Sequence, residues 1–174
     1  MIFAHNLVLS YSEDTRQYDA QLQNLGMHVV DLPSSDLSLI LQEILTVGRL
    51  TLATQTANNL VRQLQTQIND VKAKVAGTTA PKVLIESDYS TLSANPQYII
   101  LTEDPTYGGD VNAVYKRSNW GSIEALKLHK VYRINSNIIG RPGPRLVQGL
   151  QCLAQIIHPE KYAGALPACC TGTA

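Results

Sequence analysis

One uninterrupted amphipathic segment, Leu52 to Val75, constrains the fold of this chain more than any other stretch. Its apolar residues recur every three or four positions, which places them along one face of an α-helix. No proline or glycine interrupts the segment before Gly77, which stands where a C-terminal cap is expected. At about 1.5 Å per residue, such a helix is roughly 36 Å long. The apolar positions are Ala53, Ala57, Leu60, Leu64, Ile68, Val71 and Val75.

Short strand-and-turn patterns lie on both sides of this helix, which predicts a bridge between two α/β halves. A coiled coil for dimerisation is the alternative. It is disfavoured because about three heptads make a short seam and the flanking charge pattern is poor. We expect a partial N-terminal lobe over residues 1–50, an inter-lobe helix over 51–77, a C-terminal lobe over 78–162 and a tail over 163–174.

The composition describes an ordinary globular protein. The 174 residues include 14 basic and 14 acidic side chains, which cancel, so the chain lacks the basic footprint of a nucleic-acid-binding protein. Its longest apolar runs have the length of a strand and are too short to cross a membrane. The first residues lack the basic start and cleavage site of a signal peptide, so none is predicted in this sequence.

Strand and helix patterns alternate before the long helix, which is typical of a parallel sheet. A strand pattern at residues 7–9 comes first, and we expect helices to end at Gly26 and at Gly48. The other predicted elements of this half are a helix over 14–25, a strand over 27–32 and a helix over 37–47.

The second half is again α/β, with strands predicted over residues 83–86, 98–102 and 131–134. A helical turn over 111–116 and helices over 120–126 and 146–157 complete it. Polar loops over 103–110 and 135–145 follow two of the strands, and ligands of open parallel sheets bind at such strand ends. Neither loop contains a phosphate-binding lysine motif, a dinucleotide-binding motif or a nucleophile elbow, so no enzyme is predicted.

The three cysteines carry little signal in the sequence. Cys152 falls inside the last amphipathic helix and is predicted to be a core residue. Cys169 and Cys170 are predicted to be tail residues, with redox or intermolecular pairing as the minor alternative. Their spacing is not that of zinc ligands, and no metal or cofactor is predicted.

Six segments stand out when they are taken together: NLVLS, LGMHVVDLP, VGRLTLATQTANNL, NPQYIILTEDPTYGGD, NWGSIEALKLHKVYRI and GRPGPRLVQGLQCLAQIIHPE. In this order they resemble the class III solute-binding proteins of ABC importers, the cobalamin and iron-siderophore group. The resemblance implies two small Rossmann-like lobes with parallel sheets, bridged by one long α-helix. It also implies capture of a corrinoid or ferric siderophore between the lobes, an ABC permease as partner and an extracytoplasmic location.

The chain departs from this family in two places, so it resembles a truncated member. Family members carry an export signal and further N-lobe strands ahead of the part that matches NLVLS. They also have more C-lobe structure where this sequence has only YSTLSA. Each lobe is therefore smaller than in the family. If these small lobes bind no ligand, the alternative is a structural or interaction protein that dimerises through exposed sheet edges. A flavodoxin-like enzyme is a third hypothesis, and it lacks a cofactor loop.

The resemblance also indicates candidate site residues, each with a structural alternative. Glu103, Asp104 and Tyr107 are expected to line the ligand cleft. The alternative for all three is turn chemistry, because the Asp-Pro and Gly-Gly pairs of this loop form turns whatever the function. Arg141 is expected to bind a ligand oxygen or else to be a solvated loop residue. Tyr11 is a weaker ligand candidate, and Trp120 is expected to pack a helix onto the sheet.

Docking to the permease is expected at a family glutamate on the outer surface of each lobe. At the C-lobe position this sequence has Tyr89, with Glu86 and Asp88 close by. These three residues are therefore the candidates for transporter docking.

Overall fold

The computed structural model describes residues 6–10, 13–33, 36–86 and 95–172. The chain divides into two compact units, Met1–Val61 and Arg62–Ala174. Each unit contains helices and a sheet with parallel strands, which confirms the predicted α/β class. The candidates Tyr11, Asp88 and Tyr89 lie outside the described residues.

In the described part of the first unit, two strands form a parallel sheet. Strand β1 (Leu7–Ser10) pairs with β2 (His28–Asp31). The helix predicted between them is two short helices, α1 (Glu13–Arg16) and α2 (Asp19–Asn24), and Gly26 follows at φ +81°. Two short helices in place of one reflect a turn at Tyr18, whose backbone N–H donates to the carbonyl of Thr15.

Helix α3 (Leu37–Leu50) begins at Asp36, whose carboxylate accepts hydrogen bonds from the backbone of Ser38 and Leu39. The expectation that Gly48 ends this helix was wrong, because Gly48 lies within it. A Cβ atom at Gly48 would collide with the Cβ of Ala57, so glycine permits the next helix to approach closely. The chain turns instead at Leu52, which has φ +58°.

The long helix is confirmed as α4 (Thr54–Lys74), and the boundary between the two units falls inside it. Its apolar face is buried at Ala57, Leu64, Ile68 and Val71, as the periodicity predicts. Gly77 has φ +74°, in keeping with its predicted role as a cap. After the helix, the Thr78 hydroxyl lies 3.2 Å from Nε2 of His158.

Among the described residues of the second unit, four strands form a sheet in the order β3-β4-β5-β6. Strands β3 (Val83–Glu86), β4 (Tyr98–Leu101) and β5 (Val131–Ile134) are parallel, and β6 (Cys170–Gly172) is antiparallel to β5. Every residue of β4 is buried, as its continuous apolar run predicts.

Alternation along β4 divides the core into two layers. Ile99 and Leu101 pack with Val114 and Leu126 on one face. Tyr98 and Ile100 pack with residues of the last helix on the other face. The surrounding helices are α5 (Val111–Tyr115), α6 (Glu124–Lys127), α7 (Ser136–Ile139) and α8 (Leu146–Ile157).

Two predictions for this unit were wrong. The helix expected over 120–126 is only α6, because Asn119 has φ +67° and the chain then turns at Trp120 and Ile123. The expected tail supplies a strand of the sheet, since β6 pairs with β5 and Cys170 forms a disulfide with Cys152. Trp120 packs against the core, as predicted. Within the described ranges, no helix combines the length and the apolar character needed to cross a membrane.

Candidate ligand-binding edge of the second sheet

Strands β3, β4 and β5 run in the same direction, so their carboxyl ends meet at one edge of the sheet. Helix α8 ends at the opposite edge, where the hydroxyl of Tyr98, at the start of β4, donates to the carbonyl of Ile157 (3.2 Å). Helix α8 therefore begins near the carboxyl edge, and the loop that precedes it carries Arg141 there. This edge brings together the two loops that the sequence indicated.

The loop after β4 is shaped by two aspartate caps. The Asp104 carboxylate accepts from the backbone N–H of Thr106 (3.0 Å) and caps the short 3-10 helix Pro105–Tyr107. The Asp110 carboxylate accepts from the backbone N–H of Asn112 (2.9 Å) and caps α5. Tyr107, the last residue of this 3-10 helix, is 77% exposed.

Two glycines close this loop. Gly108 has φ +114°, a conformation that favours glycine. Gly109 lies against the carbonyl of Glu103 so closely that a Cβ atom would overlap it. The turn chemistry predicted for this loop is therefore present, and Tyr107 is exposed within it.

Hydrogen bonding favours the ionised form of Asp104. The backbone N–H of Thr106 lowers the pKa of this carboxyl, and the Thr106 side chain and the positive charge of Arg133 act in the same direction. Because Arg133 belongs to β5, positive charge from the neighbouring strand reaches this loop. Asp104 is therefore a carboxylate at neutral pH.

Arg141 lies on the loop between α7 and α8, where it is exposed. Asn135 begins this segment by accepting from the backbone N–H of Asn137 (2.9 Å). The loop then passes Gly143 at φ +154°. The structure thus brings Glu103, Asp104 and Tyr107 together on one loop and places Arg141 on another loop of the same edge.

Glu86 is directed into the protein. It is 4% exposed, and its two carboxylate oxygens accept from both terminal nitrogens of Arg117, at 2.8 and 2.6 Å. The Arg117 guanidinium also lies 4.5 Å from the ring centre of Trp120. Sequence reasoning missed this pair, because 31 residues separate its members and no motif connects them. A carboxylate in this position is engaged inside the chain, which does not favour a docking role for Glu86.

The three cysteines form a cluster that the sequence did not predict. Cys152 on α8 is bonded to Cys170 on β6, and Sγ of Cys169 lies 2.9 Å from Sγ of Cys152. All three sulfur atoms lie within 4.8 Å of one another, close enough to share a metal ion when reduced. Two features of the sequence could have indicated this cluster: the predicted core position of Cys152 and the adjacent cysteine pair in the final segment.

No protein-family model matches the chain. A curated relative, the uncharacterized ABC transporter substrate-binding lipoprotein YvrC of Bacillus subtilis, is 33% identical over 95 residues. The match covers 55% of this chain and 29% of YvrC, so the chain matches about three tenths of that relative's length.

Solved structures of periplasmic binding proteins share the fold. The match to the periplasmic heme-binding protein BhuT, in complex with two hemes, covers 90% of this chain and 76% of the BhuT chain. Its TM-score is 0.77, at 15% sequence identity. Helicobacter pylori CeuE with Ni(II) bound matches 93% of this chain and 64% of its own, with a TM-score of 0.74 and 16% identity.

A third structure, a possible iron-binding (periplasmic solute-binding) protein of Staphylococcus epidermidis, gives a TM-score of 0.69 at 18% identity. It matches 88% of this chain and 76% of its own. The fold is therefore that of the periplasmic solute-binding proteins. The resemblance to the class III group that the sequence indicated is confirmed.

Proposed function

We propose that this chain serves as the substrate-binding component of an ABC importer and captures a metal chelate, a corrinoid or a ferric siderophore. The observation that carries this proposal is the carboxyl edge of the second sheet, where Tyr107 is exposed beside the carboxylate of Asp104. The description of YvrC as a substrate-binding lipoprotein of an ABC transporter supports the role in import. The heme, nickel and iron named for the structural relatives support a metal-containing ligand.

The chemistry of this edge suits a large chelate with a flat or anionic surface. The Tyr107 ring offers an aromatic face to a macrocycle, and its hydroxyl offers a hydrogen bond. Arg141 offers directed donors to carboxylate, phosphate or amide oxygens of the ligand. Glu103 and Asp104 accept hydrogen bonds from ligand N–H and O–H groups. Binding of this kind is non-covalent and breaks no bond in the ligand.

The location and the transport partner follow from the relatives as part of the proposal. An extracytoplasmic location accords with the lipoprotein and periplasmic proteins that the chain resembles. An ABC permease is then the partner that receives the ligand. Asp88 and Tyr89 stay predictions for the docking surface, whereas the burial of Glu86 argues for a structural role.

The test is a titration of the purified chain with cyanocobalamin, with a ferric hydroxamate siderophore and with hemin. Binding is measured by calorimetry and by the fluorescence of Trp120, which lies in the same unit. Saturable one-to-one binding of one of these chelates at micromolar or lower concentration supports the proposal. A chain that is folded by circular dichroism and binds none of the three contradicts it.

A second candidate function is that of a non-catalytic interaction protein that forms a homodimer. It is favoured by Ile85, which is 54% exposed on β3, the outer strand of the described part of the second sheet. Sedimentation measures the mass in solution. A tight dimer that dissociates in Ile85→Lys, together with no chelate binding, favours this alternative over ligand capture.

A further inference from the structure

The cysteine cluster places one thiol against an existing disulfide. Cys152 lies on α8 and is completely buried, and its bonded partner Cys170 is 5% exposed. Sγ of Cys169 lies 2.9 Å from Sγ of Cys152 and 3.7 Å from Sγ of Cys170. The free thiol of Cys169 is therefore in contact with Sγ of Cys152, one of the two sulfur atoms of the disulfide.

Hydrogen bonds to both polar groups of the peptide bond that joins Cys169 and Cys170 hold this backbone in place. The carbonyl of Cys169 accepts from the backbone N–H of Asn135 (3.0 Å), and the backbone N–H of Cys170 donates to the carbonyl of Pro167 (2.9 Å). Cys170 is also paired with Ile134 in the sheet. Both cysteines are thus presented to Cys152 by a positioned segment.

We propose that Cys152, Cys169 and Cys170 form a thiol–disulfide exchange centre in which Cys169 and Cys170 alternate as the covalent partner of Cys152. The thiolate of Cys169 attacks Sγ of Cys152. A bond between Cys152 and Cys169 forms while the bond between Cys152 and Cys170 breaks. The electron pair leaves on the sulfur of Cys170, which takes up one proton for the proton that Cys169 released. The exchange conserves the number of disulfides and needs no oxidant or reductant.

Exchange changes which thiol is available for modification. Cys169 is partly exposed and Cys170 is buried, so the free thiol moves between an accessible and a protected position. In either state the final segment remains attached to α8. The centre is therefore a modification site for thiol-reactive electrophiles and small disulfides, and its reactivity depends on the pairing state.

The test compares Cys169→Ser and Cys170→Ser after oxidation in a glutathione buffer, with Cys152→Ser as the matched control. We expect both single variants to form a disulfide with Cys152 and to retain no free thiol. The control Cys152→Ser lacks the sulfur that both disulfides share, so we expect it to retain two free thiols, those of Cys169 and Cys170. In the unmodified chain, alkylation of the native protein followed by fragmentation mass spectrometry is expected to find the label on both Cys169 and Cys170.

The proposal is overturned if Cys170→Ser keeps two free thiols under conditions that oxidise Cys169→Ser completely. Circular dichroism of the variants shows whether each is folded. Should Cys170→Ser not fold, the unmodified chain decides the question, because a label confined to Cys169 at all alkylation times excludes exchange. Neither result depends on whether the chain binds a metal chelate.

Discussion

The guanidinium of Arg117 donates two parallel hydrogen bonds to the buried carboxylate of Glu86, from Nη1 to Oε2 at 2.8 Å and from Nη2 to Oε1 at 2.6 Å. Such paired, charge-assisted bonds restrict geometry as well as add energy. Here they join the end of β3 to the segment that follows α5. The same guanidinium stacks on Trp120, so one arginine holds the turn at residues 117–123 against the sheet.

Removing Arg117 leaves the Glu86 charge buried without this partner. We expect Arg117→Ala to lower the free energy of unfolding by about 3–5 kcal/mol, the cost of breaking a buried ion pair from one side. The matched control is Lys116→Ala, because Lys116 is the adjacent basic residue and is exposed. Urea unfolding followed by circular dichroism measures both variants. Equal stability of the two would show that the pair does not stabilise the fold.

A methyl group at Gly48 is expected to destabilise the first unit. The new Cβ would collide with Ala57, and overpacking of this kind costs about 1–3 kcal/mol, more than the roughly 1 kcal/mol that alanine gains over glycine in a helix. Gly149→Ala is the control, since its new Cβ would meet Ile138 at an ordinary 3.6 Å. Thermal unfolding should show a lower midpoint temperature for Gly48→Ala than for the unmodified chain. The midpoint of Gly149→Ala should not fall. The reverse order would contradict the close approach of α3 and α4.

Loss of the shared cysteine is expected to destabilise the second unit. Cys152 and Cys170 are 18 residues apart, and a disulfide of this kind contributes about 2–4 kcal/mol, mainly by restricting the unfolded chain. Cys152→Ala should therefore unfold at lower denaturant concentration than Cys169→Ala, which retains the bond. Adding a thiol reductant should remove the difference between these two variants. If the difference in stability persists after reduction, its cause is the packing of Cys152 and not the disulfide.

The cap at Asp104 is expected to depend on pH in the acid range. Its pKa is lowered in the folded chain, first by the backbone N–H of Thr106, so ionisation and folding favour each other. The contribution is therefore fully present above the ordinary carboxyl pKa and is lost as the pH falls through the lowered value. Carboxyl-carbon NMR shifts report the titration of Asp104. Asp104→Asn keeps the cap oxygen but has no titrating carboxyl, so it should remove this contribution to the pH dependence of stability. If the pKa of Asp104 is that of an ordinary aspartate, the cap is not formed.

Tyr107 is expected to contribute to the binding of a chelate. If its ring stacks on a flat ligand, Tyr107→Ala should weaken binding about 2- to 10-fold, because such an aromatic contact contributes about 0.5–1.5 kcal/mol. Leu128→Ala is the control, since Leu128 is also a large exposed residue of the second unit. Calorimetric titration compares the two variants. Equal affinities would remove Tyr107 from the binding site.

Local periodicity was sufficient for the long helix and for the strands of the second sheet. The spacing of Leu64, Ile68 and Val71 requires one buried face, and the structure buries those three residues. A continuous apolar run likewise predicted that β4 is central. These signals lie within a few residues of one another, so the sequence by itself was enough to determine the α/β class and to mark the loops at the carboxyl edge.

Contacts between distant residues were decided only by the tertiary structure. Glu86 looked like a surface charge until the fold brought Arg117 to it, and Gly48 looked like a helix end until α4 packed against it. Cys152 and Cys170 meet because β6 adds to the sheet next to α8, which no spacing in the chain encodes. Such pairings depend on the packing of whole elements, whereas periodicity reports only which face of an element is buried.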